Sequence, residues 1–303
     1  MDRLSNVNNI AAFVTVAREG SVSRAAEVLN LTQPAVSHQI RRLSEETGLR
    51  LFARTATGVR ITDDGEAMLA KAEQVLAALT DFHRTAGQRT GRLSGLLKIG
   101  TVVDPEFIRL GQLLARLRAD HPEVKTELLH GVSGDVIGWL RRGLIDAGYV
   151  LGGADGVAGM EADGETRIRT IRLAAFSYRV IAPAGWEARI QAADWPALAD
   201  LPWIGTPESS AHNRLLAGIF ERRGLRPNVV ALVDQEASML EMVRSGIGLS
   251  LCRESIALHQ KQAFGLAVAD AVSVPATLCF AALDRRADDP ILAQTFDLLR
   301  RIW

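Results

Sequence analysis

The sequence predicts an α/β protein of two unequal parts, a small helical head and a larger body in which short strands alternate with helices. Three patterns predict it. Residues 21–42 read as two short helices joined by a tight turn, residues 62–88 as one long helix with apolar positions every seven residues, and the order strand, helix, strand, helix, strand occurs twice beyond residue 95. At 303 residues the chain exceeds one typical domain, and 48% apolar with 23% charged residues is enough to bury a sizeable core. Thirty-five basic residues balance thirty-five acidic ones, so any affinity for a charged partner must come from a local excess.

The head comes first. Ala25 and Ala26 are small enough to let one helix approach another, and Val28 and Leu29 give the first helix an apolar edge. Asn30 suits the turn, because asparagine tolerates the left-handed backbone that often ends a helix. Thr32 offers a hydroxyl to cap the second helix, and Pro34 in its first turn presets the backbone angle where an amide hydrogen would be unpaired anyway. Val36, Ile40 and Leu43 then form one buried stripe by helical period. Gln33, Ser37 and Arg41 line the other face, with His38 and Arg42 beside them, and all can meet base edges or phosphates in a major groove. A helical hairpin inside an ordinary core would show much of the same pattern.

The next residues favour a DNA reader. After the apolar run at 49–52, residues 54–60 look like a hairpin whose tip carries Arg54, Gly58 and Arg60, a plausible wing. Residues 31–61 hold five arginines (41, 42, 50, 54, 60) against Glu45 and Glu46, a net +3 available to phosphates. The first 65 residues resemble the winged helix-turn-helix of LysR-type transcriptional regulators. The resemblance rests on Phe13, Ala17, Gly20-Ser21, Ala25-Ala26, residues 32–37 (Thr-Gln-Pro-Ala-Val-Ser), Ile40, Leu43, Gly48, Leu51-Phe52, Arg54, Val59 and residues 62–65, in order and without gaps. It implies that Thr32, Gln33, Pro34, Ser37, His38 and Arg41 belong to the DNA-contacting helix, with Gln33, Pro34, Ser37 and His38 at the bases. Ser23 and Arg24 would lie near the DNA backbone and Arg54 in the wing. Arginine is also common in the family where this chain has His38, which leaves the bases read open.

Thr62 is placed to cap a long helix whose acidic first turn, Asp63, Asp64 and Glu66, complements the positive helix terminus. Along it Met68, Val75 and Phe82 recur every seven residues, as do Leu69 with Leu76, and Ala72 with Leu79 and Ala86. Such heptads imply a partner helix, although the same stripe could pack on its own domain. Two recognition helices would read two half-sites. Residues 87–94, rich in glycine and polar groups, look like a hinge.

The body reads as strand 96–101, helix 106–119, strand 124–129, helix 133–142 and strand 145–151, then as strand 202–205, helix 210–223, strand 229–234, helix 236–244 and strand 248–252. Gly100-Thr101 answers Gly205-Thr206, and residues 142–145 answer residues 245–248. Two similar lobes imply a cleft, and ligands in such lobes bind at the carboxyl ends of the strands. Thr101, Val102, Val103 and Ser133 would face it from one lobe, and Thr206, Pro207, Ser209 and Ser210 from the other. Each hydroxyl among them is equally placed to be an ordinary helix cap. The resemblance implies a two-lobed domain similar to type 2 periplasmic binding proteins with a small-molecule effector in the cleft. The expected limits are a winged head over 1–63, a linker and dimerisation helix with hinge over 64–92, and the two-lobed body over 93–303. Lobe I would take about 93–169 and 269–303, and lobe II about 170–268. Asp104 would disfavour a carboxylate ligand and could bind an amine, or it could cap the following helix. His130 and His212 fall near strand or helix ends on the cleft side, and Trp203 and Tyr149 could wall a ligand or fill the core.

No nucleophile elbow, phosphate loop, His-Glu-x-x-His or paired cysteine ligands occur, so no catalytic residue, metal or cofactor is expected. Cys252 and Cys279 lie in apolar runs without metal-ligand spacing and read as core residues, with a redox switch as the alternative. No apolar stretch would span a bilayer and the N-terminus lacks a signal-peptide pattern, so a cytoplasmic protein is expected. The reading is a sequence-specific transcriptional regulator, a homodimer or homotetramer on double-stranded DNA with an inverted-repeat operator, responsive to a small-molecule effector and acting on RNA polymerase. The alternatives are a ligand-independent or architectural DNA binder and, given the two lobes alone, a solute-binding protein.

Overall fold

The computed structural model describes residues 6–55, 58–87, 93–102, 104–156 and 167–303, and the chain divides near residue 92 into two compact units. The N-terminal unit holds α1 (Val7–Glu19), α2 (Val22–Val28), α3 (Gln33–Thr47), the hairpin β1 (Phe52–Thr55) with β2 (Gly58–Ile61), and α4 (Asp63–Gly87). Local chemistry sets most of these limits. Ser21 accepts from the Arg24 amide at the start of α2, Thr32 accepts from the Ala35 amide at the start of α3, and Thr62 accepts from the Gly65 amide at 3.1 Å at the start of α4. Asn30 has φ 53°, the left-handed turn expected of it. Helix α1, which the periodicity reading leaves unassigned, supplies Ala12 and Val16 to a core completed by Ala25, Ala26 and Val36.

The stripe on α4 has two fates. Met68, Leu69, Ala72 and Leu76 pack on Phe13, Val14, Leu43 and Leu51 of the same unit, whereas Val75 and Phe82 are exposed. Packing on its own domain therefore accounts for part of the heptad pattern. Residues 56–57 of the expected wing and 88–92 of the expected hinge lie outside the described residues.

The C-terminal unit runs β3 (Gly95–Thr101), α5 (Leu110–Asp120), β4 (Val124–His130), α6 (Ser133–Arg142), β5 (Ala147–Gly152) and β6 (Ile168–Ala182). It continues through α7 (Glu187–Ile190), α8 (Trp195–Ala199), β7 (Pro202–Gly205), α9 (Ala211–Glu221), β8 (Asn228–Leu232) and α10 (Glu236–Arg244). It ends with β9 (Ser250–Arg253), α11 (Glu254–Phe264), β10 (Ala267–Val268), β11 (Val274–Leu283) and α12 (Pro290–Ile302). Seven strands form one sheet in the order β10-β6-β11-β5-β3-β4, with β9 also paired to β6. Strand β3 is parallel to β4 and β5, while β6 and β11 run antiparallel to each other along their length, with a bulge at Leu278/Cys279.

This ribbon joins two cores. Leu278 and Phe280 belong with Leu97, Ile99, Leu113 and the α12 residues in one half, and Val274, Ala276, Tyr178 and Val180 belong with Trp203 and Leu251 in the other.

One expectation needs correction. The helix expected from 106 begins only at Leu110, because Asp104 Oδ1 turns back to the Glu106 amide at 2.9 Å and Arg109 takes a left-handed φ of 51°. The second half repeats the pairing of the first: β7 is parallel to β8 and meets Leu249 in parallel through the Trp203–Leu249 bridge, and the third strand, β9, pairs antiparallel with β6 as β5 does with β11. No helix among the described residues is long and apolar enough to cross a membrane.

Candidate functional site

The N-terminal unit presents one polar face. On α2 and α3, Ser23, Arg24, Thr32, Gln33, Pro34, His38 and Arg41 are exposed and Ser37 is half-buried. Val36 and Leu43 on the opposite side are buried, so packing fixes the rotation of α3 and hence the direction its polar stripe faces. Arg24 is already engaged, donating to the Glu19 carbonyl at 2.9 Å, and Arg42 pairs with Glu46 at 3.3 Å. The hairpin lies against the end of α1: a Cβ at Gly58 would stand 2.8 Å from the Gly20 carbonyl oxygen, so only glycine allows this approach. Arg54 sits in β1 opposite Val59, its side chain outside the described set, and Arg60 is exposed.

The C-terminal unit encloses a cavity of about 570 Å³ between its two halves. Val102, Ser133, Thr206 and Ser210 line it, as do Asp104, His130 and His212. Thr101, Pro207 and Ser209 are not in its wall, and Val103 is outside the described residues. Thr101 turns its hydroxyl to the Leu129 carbonyl and to His130 Nδ1 at 3.2 Å, and Ser209 instead closes one flank, its carbonyl accepting from the Gly134 amide at 2.9 Å. A Cβ at Gly134 would sit 2.6 Å from that oxygen. Ser133 Oγ accepts from the Leu151 amide, and the Thr206 and Ser210 hydroxyls lie 2.6 Å apart. The hydroxyls thus serve as caps and ties as well as cavity lining. Trp203 and Tyr149 are core residues, 1% and 0% exposed, and Trp203 Nε1 donates to the Leu198 carbonyl.

The sequence reading missed the floor of the cavity. Arg253, 4% exposed at the end of β9, donates to Glu236 Oε2 at 3.2 Å, lies 3.6 Å from Asp104 Oδ2 of the other half, and sits 4.3 Å over the Phe107 ring. Beside it Tyr178 packs edge-on against His212, ring centroids 4.5 Å apart. Burial first, then the Arg253 charge, pushes His212 down to about 4, which keeps the imidazole neutral at pH 7. Arg253 follows the apolar run Leu249-Ser250-Leu251-Cys252, and an arginine ending a buried strand is a signal that could have found it. Cys252 and Cys279 are buried, and burial raises both thiols and so disfavours the reactive thiolate.

Taken together, the two units are those of a DNA-binding transcriptional regulator with an effector-binding domain. Residues 7–66 match the family described as the bacterial regulatory helix-turn-helix protein, lysR family, and residues 90–303 match the LysR substrate binding domain. The chain belongs to the LysR family. Among its relatives are the uncharacterized HTH-type transcriptional regulator YfeR of Shigella flexneri, 28% identical over 81% of this chain and 77% of that protein, and the HTH-type transcriptional regulator IlvY of Escherichia coli, 24% identical over 83% and 82%. The same fold occurs in full-length CbnR complexed with its target DNA (TM-score 0.63, 20% identity, 98% and 99% of the two chains). It occurs also in a full-length OxyR variant from Pseudomonas aeruginosa (TM-score 0.65, 21% identity, 98% and 95%).

Proposed function

We propose that the chain acts in the cytoplasm as a homodimer or homotetramer, that it reads paired DNA half-sites, and that a small molecule in the cavity between the halves of the C-terminal unit changes operator binding or activation by RNA polymerase. In this reading the protein catalyses no reaction. The observation that carries the proposal is the cavity itself, lined by polar and apolar residues of both halves, so that an occupant touches both and stabilises one relative placement of them over another. Val102, Ser133, Thr206 and Ser210 are the effector contacts expected from the sequence that line it, and Arg253, Glu236 and Asp104 join them. On the DNA side, Gln33, Pro34, Ser37 and His38 meet base edges. Ser23, Arg24, Thr32, Arg41 and Arg54 meet the backbone.

The test is genome-wide capture of DNA fragments by the purified full-length protein at near-physiological salt. Discrete sites containing an inverted repeat are expected. Uniform, salt-fragile capture would replace sequence reading by architectural binding.

A further inference from the structure

Taking the cavity as the effector site, we propose that its occupant is a zwitterion, an amino-acid-like molecule with an ammonium group, a carboxylate and an apolar body. Charge balance is the first argument. Three carboxylates in the wall, Asp104, Asp234 and Glu236, face one guanidinium, Arg253, which leaves two negative charges in excess. Arg253 is held by Glu236 and Asp104 at once, so one guanidinium offsets two carboxylates that both reach the cavity. A simple carboxylate placed there meets net repulsion, whereas an ammonium supplies the missing positive charge.

The same wall also offers donors to an anion. Helix α9 starts at the cavity, and of its first-turn amides Asn213 is taken by Ser210 Oγ at 3.0 Å and Arg214 by the Ser210 carbonyl. The Ala211 and His212 amides have no acceptor among the described residues and stand at the cavity wall. A helix start alone would prove little. Here the Tyr178 hydroxyl, on a side chain 1% exposed and packed on His212, also has no partner among the described residues, and neither has Arg253 Nε. Burial, reinforced by Glu236, keeps the Tyr178 proton in place, so both groups are buried donors without acceptors. A carboxylate oxygen is the acceptor they lack. Elsewhere in the wall Leu151, Met239, Leu240 and Ile256 offer aliphatic surface to an apolar body.

The experiment uses the full-length protein and three matched sets of probes at millimolar concentration: the apolar standard amino acids, their deaminated carboxylic acids and their decarboxylated amines. Thermal unfolding screens the sets and calorimetry measures the hits. At least one amino acid is expected to raise the melting temperature and bind saturably, with its deaminated and decarboxylated counterparts weaker by roughly tenfold or more. Asp104→Asn, which keeps the Oδ1 acceptor for the Glu106 amide, is expected to weaken the amino acid by roughly tenfold and to narrow its advantage over the deaminated acid. Binding of a deaminated acid as tightly as the amino acid, or no binding by any amino acid, would overturn the zwitterion. If that deaminated acid in turn loses binding in Thr206→Val, the cavity stands as the effector site and the inference about ligand class alone falls. Operator capture, measured separately, decides the DNA reading in every case.

Discussion

Arg42 and Arg286 show how much burial matters for one side chain. Arg42 pairs with Glu46 across one helical turn with its side chain 55% exposed, an arrangement worth about 0.5 kcal/mol at most. Arg286 is 16% exposed and held between Asp146 and Asp289, and Asp146 also accepts from the Lys98 amide at 2.7 Å. Burial alone would lower the Arg286 pKa, but the adjacent Asp146 and Asp289 carboxylates raise it overall. Removing Asp146 leaves the buried Arg286 with Asp289 alone and takes the acceptor from the Lys98 amide, so Asp146→Ala is expected to cost about 3 kcal/mol in denaturant unfolding, against a change within about 0.5 kcal/mol for Glu46→Ala. His212 gives a pH signature. Its pKa is lowered from 6.5 to about 4, so the unfolded chain binds more protons than the folded one between those values, and stability falls as pH drops through that window. With solvent screening in the cavity allowed for, the loss is about 2 kcal/mol or less, and His212→Asn is expected to flatten the curve between about pH 6.5 and 4 in urea titrations. At this scale the sequence showed half of the cavity. Thr206 and Ser210 announce themselves as polar groups at a strand end, whereas Arg253, Glu236 and Tyr178 converge only because β9 pairs with β6, and nothing local encodes that pairing.

Helix α3 was legible because its limits are local: a threonine cap, a proline in the first turn, a left-handed glycine at Gly48 and a stripe at helical period. Its rotation leads to a base-specific expectation. Gln33→Ala and Ser37→Ala should each lose about 1–3 kcal/mol of binding at the cognate operator and far less on unrelated DNA. Equal losses on both would remove these side chains from base readout. Strands β6 and β11 escaped a sequence reading for the opposite reason. They run 15 and 10 residues, longer than ordinary strands, and serve two cores in turn, so their burial pattern follows tertiary partners and not a simple alternation. The start of α6 carries a further expectation. Gly134→Val puts carbon against the Ser209 backbone, and by forcing that flank apart it should cost about 1–3 kcal/mol of stability and weaken ligand binding in calorimetry.

Across the whole molecule the charges cancel, so attraction to DNA rests on the local excess in the head. If Arg54 meets a phosphate, Arg54→Ala should lower affinity on every sequence and reduce the slope of log K against log salt by about 1. If the exposed Val75 and Phe82 on α4 meet a second copy, Phe82→Asp should lower the oligomeric state seen by light scattering while leaving the packed first turns of the helix intact. One more property comes from the way the chain is threaded through the C-terminal unit. The core that Leu97, Ile99 and Leu113 begin is completed by Ile291, Phe296 and Leu299 of α12, and Arg109 reaches the Ile302 carbonyl across 193 positions. While the protein is being made on the ribosome, that first half waits, apolar side exposed, as the entire second half emerges and becomes able to fold. Nascent chains stalled before α12 should therefore be the ones that chaperones hold and proteases cut.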